Sequence, residues 1–531
     1  MSPMVEVRQL QQMDAQQLRA LAAGLMAELS AKESELAAKQ AELCFKQAKI
    51  DQLTHEMAVL KRLKFAARSE QLDAQQRSLL EETIEADLAA IEAELEALAG
   101  QPDPPEPPRA QPRRAPLPTH LPRVEIVHEP QSQVCGCGCQ LKRVGEDVAE
   151  KLDYQPGVFT VERHVRGKWA CAHCQTLVQA PVPAHVIDKG IPTTGLLAQV
   201  LVAKYADHTP LYRQEGIFAR AGLALPRSTL AQWVGACGVQ LQPLVDALKQ
   251  EVLGHAVLHA DETPVAMLAP GKGKTHRAYL WAYAPGVFET LKAVVYDFAE
   301  SRAGAHARDF LGQWRGQLVV DDFAGYKESF AQGVIEIGCM AHARRKLFEL
   351  HATNKSQIAE QALLLMGKLY AVEAQVKDLP APQRLQLRQA LARPVADKLH
   401  EWLQAQRLRV TEGTAIAKAI DYSLRRWVAL TRYLDDGQLP IDNNWIENQI
   451  RPIALGRSNW LFAGSLRAGQ RAAAVMSLIQ SARLNGLDPC AYLKDVLERL
   501  PTHKARRVSE LLPHRWKPMP ELQGGPQRQA A

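Results

Sequence analysis

Residues 257–339 read VLHADETPVAMLAPGKGKTHRAYLWAYAPGVFETLKAVVYDFAESRAGAHARDFLGQWRGQLVVDDFAGYKESFAQGVIEIGC. Three strand-like runs lie in this stretch, VLHADETPV, AYLWAYAP and TLKAVVYDFA, with turns between them. A helical segment follows (GAHARDFLGQW), then the short strand LVVDDF, another helix and the strand VIEIGC. The order β-β-β-α-β-α-β predicts a mixed α/β domain. Asp261, with Glu262 beside it, ends the first apolar run, and Asp321 and Asp322 follow the fourth. Functional groups gather at one edge of an open sheet, so acids at strand ends mark a candidate site.

A third acidic position lies much further on, in residues 442–465, DNNWIENQIRPIALGRSNWLFAGS. Asp442 follows Pro440 and suits an N-cap, which starts a helix with Asn443, Asn444, Glu447 and Arg451 on one polar face. Pro452 is expected to end or kink that helix, and Arg457, Asn459, Trp460 and Arg467 follow in a basic, aromatic strip. A capped helix with ordinary salt bridges would explain this stretch taken alone. Together with the upstream acids, Glu447 completes the carboxylate set that a pair of hard divalent cations needs. Magnesium prefers such oxygen ligands and keeps waters that leave room for phosphate oxygens. Two such ions serve phosphodiester chemistry by acting on the attacking and leaving oxygens.

The segments HADETPV (259–265), VVDDFAGY (319–326), CMAHARRKLFEL (339–350) and residues 442–465, in this order, resemble the insertion-sequence 66 family of bacterial DDE transposases. The resemblance spans most of residues 50–490. It implies a ribonuclease-H-like catalytic domain, which the mixed strand order fits, with Asp261, Asp321 and Glu447 as the metal-binding catalytic triad. Asp322 stands where the family usually has glycine, so Asp321 is taken as the ligand and Asp322 as the fallback. The cofactor expected there is Mg2+ in a two-metal site, with Mn2+ as a substitute. The family's elements usually encode small accessory proteins as well.

The rest of the chain divides around this domain. At 531 residues it is long enough for three or more domains. Residues 1–100 read as a helical, coiled-coil region, since 14–100 are rich in Ala, Glu, Gln, Leu and Lys and nearly free of Gly and Pro. Leu29, Leu36, Leu43, Ile50 and Met57 recur every seven residues, as one seam of a coiled coil does. Lys32, Lys39 and Lys46 take the companion positions, four residues after Glu28, Glu35 and Glu42, the favoured order for helix ion pairs. Leu53 and Leu60 restore the second seam, and Ile84, Leu88, Ile91, Leu95 and Leu98 form another stripe. A dimerising hairpin or coiled coil is expected, hence a homodimer or higher oligomer; a helix packed on its own chain is the alternative. Nine prolines between residues 100 and 123 make 101–123 a stiff, extended linker.

Residues 124–190 carry a CxCxC run, Cys135, Cys137 and Cys139, and about 35 residues later the pair Cys171 and Cys174. Cysteine pairs joined by strand-like sequence suit a tetrahedral structural Zn2+ site. The family has a zinc-binding segment here, normally with CxxC in its first half. Counting back from Gly145, Cys137 takes the second cysteine's place and Cys135 the first; Cys139 is the alternative and His173 a weaker fourth ligand. Zinc would hold the module and present Arg163, His164, Arg166, Lys168 and Trp169.

Residues 191–252 form a helix-turn-helix-like region, with Gly222 in the turn and Pro226-Arg227-Ser228 opening the second helix. Such a helix enters the major groove by its N-terminal residues, here Arg227, Ser228, Thr229 and Gln232. A plain helical bundle fits the pattern equally well, and the resemblance favours DNA contact. The catalytic domain then covers 253–490 with a helical insertion at 347–440, and 491–531 form a basic C-terminal segment. The pair Cys339-x-x-His342 has no second metal pair close by, so His342, Arg344 and Arg345 are read as DNA-facing groups. Cys339 in the core and His342 capping a helix is the alternative. Arg344, Arg451 and Arg457 are expected on phosphates, with Trp460 beside them.

A net charge of +6 and a pI near 8.7 permit nucleic acid without demanding it. No run of about 18 uncharged apolar residues occurs, so no membrane span is expected. The N-terminus lacks the apolar core of a signal peptide, which suggests a cytoplasmic, nucleoid-associated protein whose nine cysteines are thiols or metal ligands. These readings converge on a transposase that binds the inverted-repeat ends of an insertion element as double-stranded DNA, cuts them and transfers the strand. A metal-dependent nuclease without strand transfer and an inactive DNA-binding regulator are the alternatives.

Overall fold

A computed structural model describes residues 15–66, 74–99, 117–119, 121–130, 132–155, 157–188, 190–269 and 274–519. Contacts divide the chain into two units, the smaller from Met1–Phe65 and Ile91–Arg109, the larger from Ala66–Ala90 and Ala110–Ala531. The expected linker falls largely outside the described residues.

In the smaller unit, α1 (Ala15–Ala66) is a 52-residue helix. Lys39 and Lys46 pair with Glu35 and Glu42 at 2.7 Å, the i,i+4 spacing read from the sequence. Leu29, Leu36 and Leu43 lie open to solvent, whereas Leu53 is fully buried.

The next helix, α2 (Ala74–Ala99), contributes residues 74–90 to the larger unit. Leu79, Leu80, Ile84 and Leu88 are buried there. Asp87, also buried, accepts from Arg471 Nη2 at 3.0 Å and from the Ser465 hydroxyl, and Glu82 pairs with Lys204. Gly235 permits the approach, because a Cβ at that position would stand 2.2 Å from the Ala86 carbonyl oxygen. The stripe at Ile84 and Leu88, expected to meet a partner helix, is in this half packed on its own chain.

The zinc-finger-like module is a sheet of β1 (Arg123–His128), β2 (Leu141–Gln155), β3 (Val158–Cys171) and β4 (Leu177–Gln179). β2 and β3 form a long antiparallel hairpin, and β1 pairs with β3 in parallel. Three helices follow, α3 (Thr194–Tyr205), α4 (Leu211–Arg220) and α5 (Arg227–Leu253). Gly222, at φ +87°, turns the chain between α4 and α5.

A second, five-stranded sheet contains β5 (Val257–Ala269), β6 (Lys274–Pro285), β7 (Val295–Ala299), β8 (Gln317–Val320) and β9 (Ile335–Gly338), ordered β7-β6-β5-β8-β9. Pairing is antiparallel from β7 to β5 and parallel from β5 to β9. Val257 to Ala260 are all buried, as a strand covered on both faces requires. Helices α6 (Gly304–Leu311) and α7 (Lys327–Ala331) make the crossovers on either side of β8. The element order is the one read from residues 257–339.

Helices α8 (Met340–Asn354), α9 (Gln357–Val376), α10 (Ala381–Leu387), α11 (Arg393–Arg407), α12 (Ala415–Arg425) and α13 (Trp427–Thr431) build the insertion around a second apolar core. That core takes Val257 and Val319 from the sheet, while their neighbours Leu258 and Leu318 belong to the main core. Alternation along β5 and β8 thus makes the sheet a wall between two cores. The chain returns through α14 (Asn444–Trp460), α15 (Leu466–Leu484) and α16 (Pro489–Arg499). Pro452 lies inside α14 and does not end it; the helix stops at Leu461, which takes φ +59°. At the edge strand β7, the backbone N–H groups of Val294, just before it, and of Tyr296 within it donate to Ser481 Oγ at 3.0 Å and Ser477 Oγ at 2.8 Å on α15.

Candidate active site and metal sites

His259 on β5 lies opposite Val319 on β8, so Asp261 and Asp321 each follow two residues later, at matching levels of two parallel neighbours. Asp261 does not end its strand: β5 runs on to Ala269 as the arm of a hairpin with β6. What ends near Asp261 is the pairing with β8, and that opens a gap in the sheet. Asp261 Oδ1 accepts the Glu262 N–H at 2.9 Å and Asp321 Oδ1 the Phe323 N–H at 2.8 Å, which fixes one oxygen of each carboxylate.

Glu447 arrives from the first turn of α14. Its Oε2 lies 3.4 Å from Arg345 Nη2, and its Oε1 lies 3.7 Å from His342 Nδ1 without hydrogen-bonding anything. Burial, then the charges of Glu262, Asp321 and Glu447, push the Asp261 carboxyl up to about 8. Asp322 is exposed and faces Arg426 Nε at 3.5 Å, while Arg426 Nη2 donates to the Asp321 carbonyl at 2.9 Å. The charges of Asp321 and Glu447 thus reach Asp261, while Asp322 faces Arg426, and the Glu447 carboxylate itself lies within 4.8 Å of the Cys339 and His342 ligand atoms. Crowded carboxylates holding a buried, unpartnered oxygen suit hard divalent cations, which supply the missing positive charge.

The junction between α14 and β5 is made by Asn443. It is the N-cap residue, in the place expected for Asp442, and it is completely buried. Its Nδ2 donates to the Ala260 carbonyl at 2.9 Å, and its Oδ1 lies 2.7 Å from His259 Nδ1. Burial lowers His259 to about 4, so the ring is neutral and Nδ1–H is the donor. Asn443 thus leaves the polar face expected for it and couples the helix of Glu447 to the strand of Asp261. Asp442 accepts the Asn444 N–H at 3.1 Å and the Tyr370 hydroxyl at 3.0 Å. Replacing Asn443 by Ala strands the His259 donor and the Ala260 carbonyl, at about 1–3 kcal/mol for each buried group. The melting temperature is expected to fall accordingly, and an Asn443→Ala variant as stable as wild type in denaturant unfolding would remove Asn443 from this role.

The residues assigned to DNA are placed unevenly. Arg344 and Arg451 are exposed, as is Gln232 at the start of α5, where Ser228 and Thr229 are half-buried. Arg227 pairs with Glu81 at 3.2 Å. Arg457 Nη1 donates to Thr263 Oγ1 at 3.2 Å and to the Pro264 carbonyl, which ties α14 to β5. The Trp460 ring is partly buried and packs against the main core.

The zinc-finger-like module gathers Cys135, Cys137, Cys171 and Cys174, whose sulfurs all lie within 4.8 Å of one another. Cys135 and Cys174 are 3.2 Å apart, and Cys137 and Cys171 3.6 Å. Four thiols so close fit a structural Zn2+ ion with ligands about 2.3 Å from the metal. Gly138, at φ +85°, donates to the Cys135 carbonyl at 2.8 Å, and this tight loop lets a CxC spacing present both thiols. Cys139 and His173 stay outside the quartet.

Sequence reasoning missed three supports of the site: Asn443, Arg426, and the pairing of buried Glu262 with Arg302. Only Glu262 had a local signal, as an acid next to Asp261.

Four family models match along the chain. Residues 189–471 match the transposase IS66 family, 477–514 the IS66 C-terminal element, 132–175 the zinc-finger binding domain of transposase IS66, and 52–126 the transposase C of IS166 homeodomain. Among curated relatives, the uncharacterized protein y4qI of Sinorhizobium fredii is 37% identical over 492 residues, covering 88% of this chain and 90% of its own. The uncharacterized protein y4hP of the same organism is 34% identical over 491 residues, 88% of each chain. The first match takes in all three acids, the zinc-finger match all four cysteines, and the relatives run nearly end to end: the chain belongs to the transposase IS66 family.

Proposed function

We propose that the chain is a DDE transposase that cuts DNA at the inverted-repeat ends of its own insertion element and joins the freed 3′ hydroxyl to target DNA. The observation that supports this reading is the register of β5 and β8, which sets Asp261 and Asp321 at matching levels of parallel neighbours, with the charge of Glu447 reaching Asp261. The sheet order β7-β6-β5-β8-β9, antiparallel on one side of β5 and parallel on the other, supports a ribonuclease-H-like catalytic domain. Two magnesium ions bound between the three carboxylates would activate the attacking oxygen and stabilise the leaving one. The chain's own part is positional. Backbone N–H groups orient Asp261 and Asp321, and Asn443 sets the distance from β5 to Glu447. Arg345 and His342, next to Glu447, would meet the DNA backbone as it enters.

In the same reading, the zinc-finger-like module and the start of α5, where Gln232 is exposed, bind the ends, and the open seam of α1 pairs two chains. The test is strand transfer. Full-length protein, magnesium and a labelled precut end are mixed with plasmid DNA, with the element's accessory proteins supplied. Joined product is expected. Cutting of uncut ends without any joining would replace this reading by a nuclease, and end binding with neither step by a regulator.

A further inference from the structure

The recess beside Asp321 holds two cations that the triad does not use. Arg302, Asp321, Phe323, His342 and Lys346 are among its lining residues. The Arg302 guanidinium lies 3.9 Å from the centre of the Phe323 ring, and its Nε donates to Glu262 Oε1 at 2.8 Å. Glu262 is sealed from solvent, with 1% of its side chain exposed, and accepts the hydroxyl of fully buried Tyr326 at 3.1 Å. On the same recess, Lys346 Nζ stands 4.6 Å from the centre of the Tyr422 ring. Each cation is thus backed by an aromatic face.

Arg302 is held without being consumed. Its Nε and Nη2 both go to a single oxygen of Glu262, its side chain is 42% exposed, and its Nη1 has no hydrogen-bond partner among the described residues. A guanidinium fixed in this way has already lost most of its rotamer freedom, so binding an anion costs less ordering. Planar donors anchored on a buried carboxylate beside a metal-binding set match the oxygens of a phosphodiester.

We propose that this recess binds a backbone phosphate of the DNA adjacent to the scissile one, through Arg302 and secondarily Lys346, and that Glu262 and Tyr326 are positioning residues for Arg302. The identity of the DNA rests on the transposase reading; the phosphate contact rests on the recess.

The experiment measures binding of the full-length protein, without divalent cation, to labelled duplexes carrying one end of the element. Each duplex has one neutral methylphosphonate, stepped across the cut junction. With wild type, a position beside the cut is expected to weaken binding about tenfold, the scale of one charge-assisted hydrogen bond. In Arg302→Met that positional loss should vanish, and the slope of log affinity against log salt should become shallower by about one. Arg302→Lys should keep part of the loss, and Lys346→Met should reduce it less. Circular dichroism shows whether each variant is folded; if Arg302→Met is not, Arg302→Lys and Lys346→Met carry the comparison. A positional loss of full size in the Arg302 variants, or uniform weakening at every position, overturns the proposal. If wild type neither cuts nor joins but the loss depends on Arg302, the recess stands and the transposase reading falls. If wild type cuts and joins and the Arg302 variants bind as it does, the recess reading alone falls.

Discussion

Replacing Asp261, Asp321 or Glu447 by Ala is expected to lower cleavage of end DNA by about a thousandfold or more, with binding of the ends changed by less than about threefold. In the proposed mechanism the three carboxylates act as one unit, so any single loss should cost nearly as much as all three, as happens with other interdependent catalytic groups. A stability readout distinguishes this site from an ordinary polar cluster. The Asp261 carboxyl is raised to about 8, chiefly by burial and then by neighbouring negative charge. A group whose pKa is raised on folding stabilises the fold fully below its unfolded value, near 4, and loses that contribution as pH climbs through the folded value. Without divalent cations, Asp261→Ala should therefore gain in melting temperature relative to wild type as pH rises from about 4 to 8. Magnesium should reverse the order by stabilising wild type alone. Cleavage by Glu447→Ala at the wild-type rate would break the triad assignment, and a flat pH dependence would show that Asp261 is not crowded.

Arg388→Ala should destabilise the protein by about 3–5 kcal/mol, the cost of leaving one member of a buried pair without its partner. Arg388 is completely buried between α10 and α11. It grips Glu373 through Nε at 2.7 Å and Nη2 at 2.6 Å, and its Nη1 donates to the carbonyls of Tyr433, Asp436 and Leu439 at 2.9–3.1 Å. One side chain thus satisfies three carbonyls of the segment that leads to Asp442 and Asn443. Denaturant unfolding of wild type, Arg388→Ala and the double change with Glu373→Leu would measure it. The double variant should recover part of the loss, since the unpaired carboxylate is gone while the three carbonyls stay unsatisfied. A loss below about 1 kcal/mol for Arg388→Ala would mean that water reaches this site and the insertion is looser than its packing.

Much of the site was legible because its signals are local. Apolar runs ending in acids marked β5 and β8; cysteine spacing marked a metal site, and the family resemblance favoured Cys135 and Cys137 over Cys139, as the grouping of the four thiols bears out. What escaped depends on partners distant in sequence. Asn443 looked like an exposed residue of a polar helix face, and only its meeting with His259, 184 positions away, makes it a buried clamp. Arg302 lies 40 positions from Glu262 and carried no motif. The stripe at Ile84 and Leu88 has the same spacing whether it meets a partner helix or its own domain. Pro452 was expected to end or kink α14, yet the helix continues past it for eight residues to Trp460.

The serines of α15 have a consequence for how copies of this protein can meet. An outer strand normally offers a row of free donors and acceptors, an invitation to another chain's strand. Ser477 and Ser481 take the donors of Tyr296 and Val294 on one margin, and Arg432 takes the Glu336 carbonyl on the other. Bare margins would favour strand addition wherever copies of the protein meet at high local concentration. With these groups taken from within, the margins of this sheet offer another chain's strand fewer free partners.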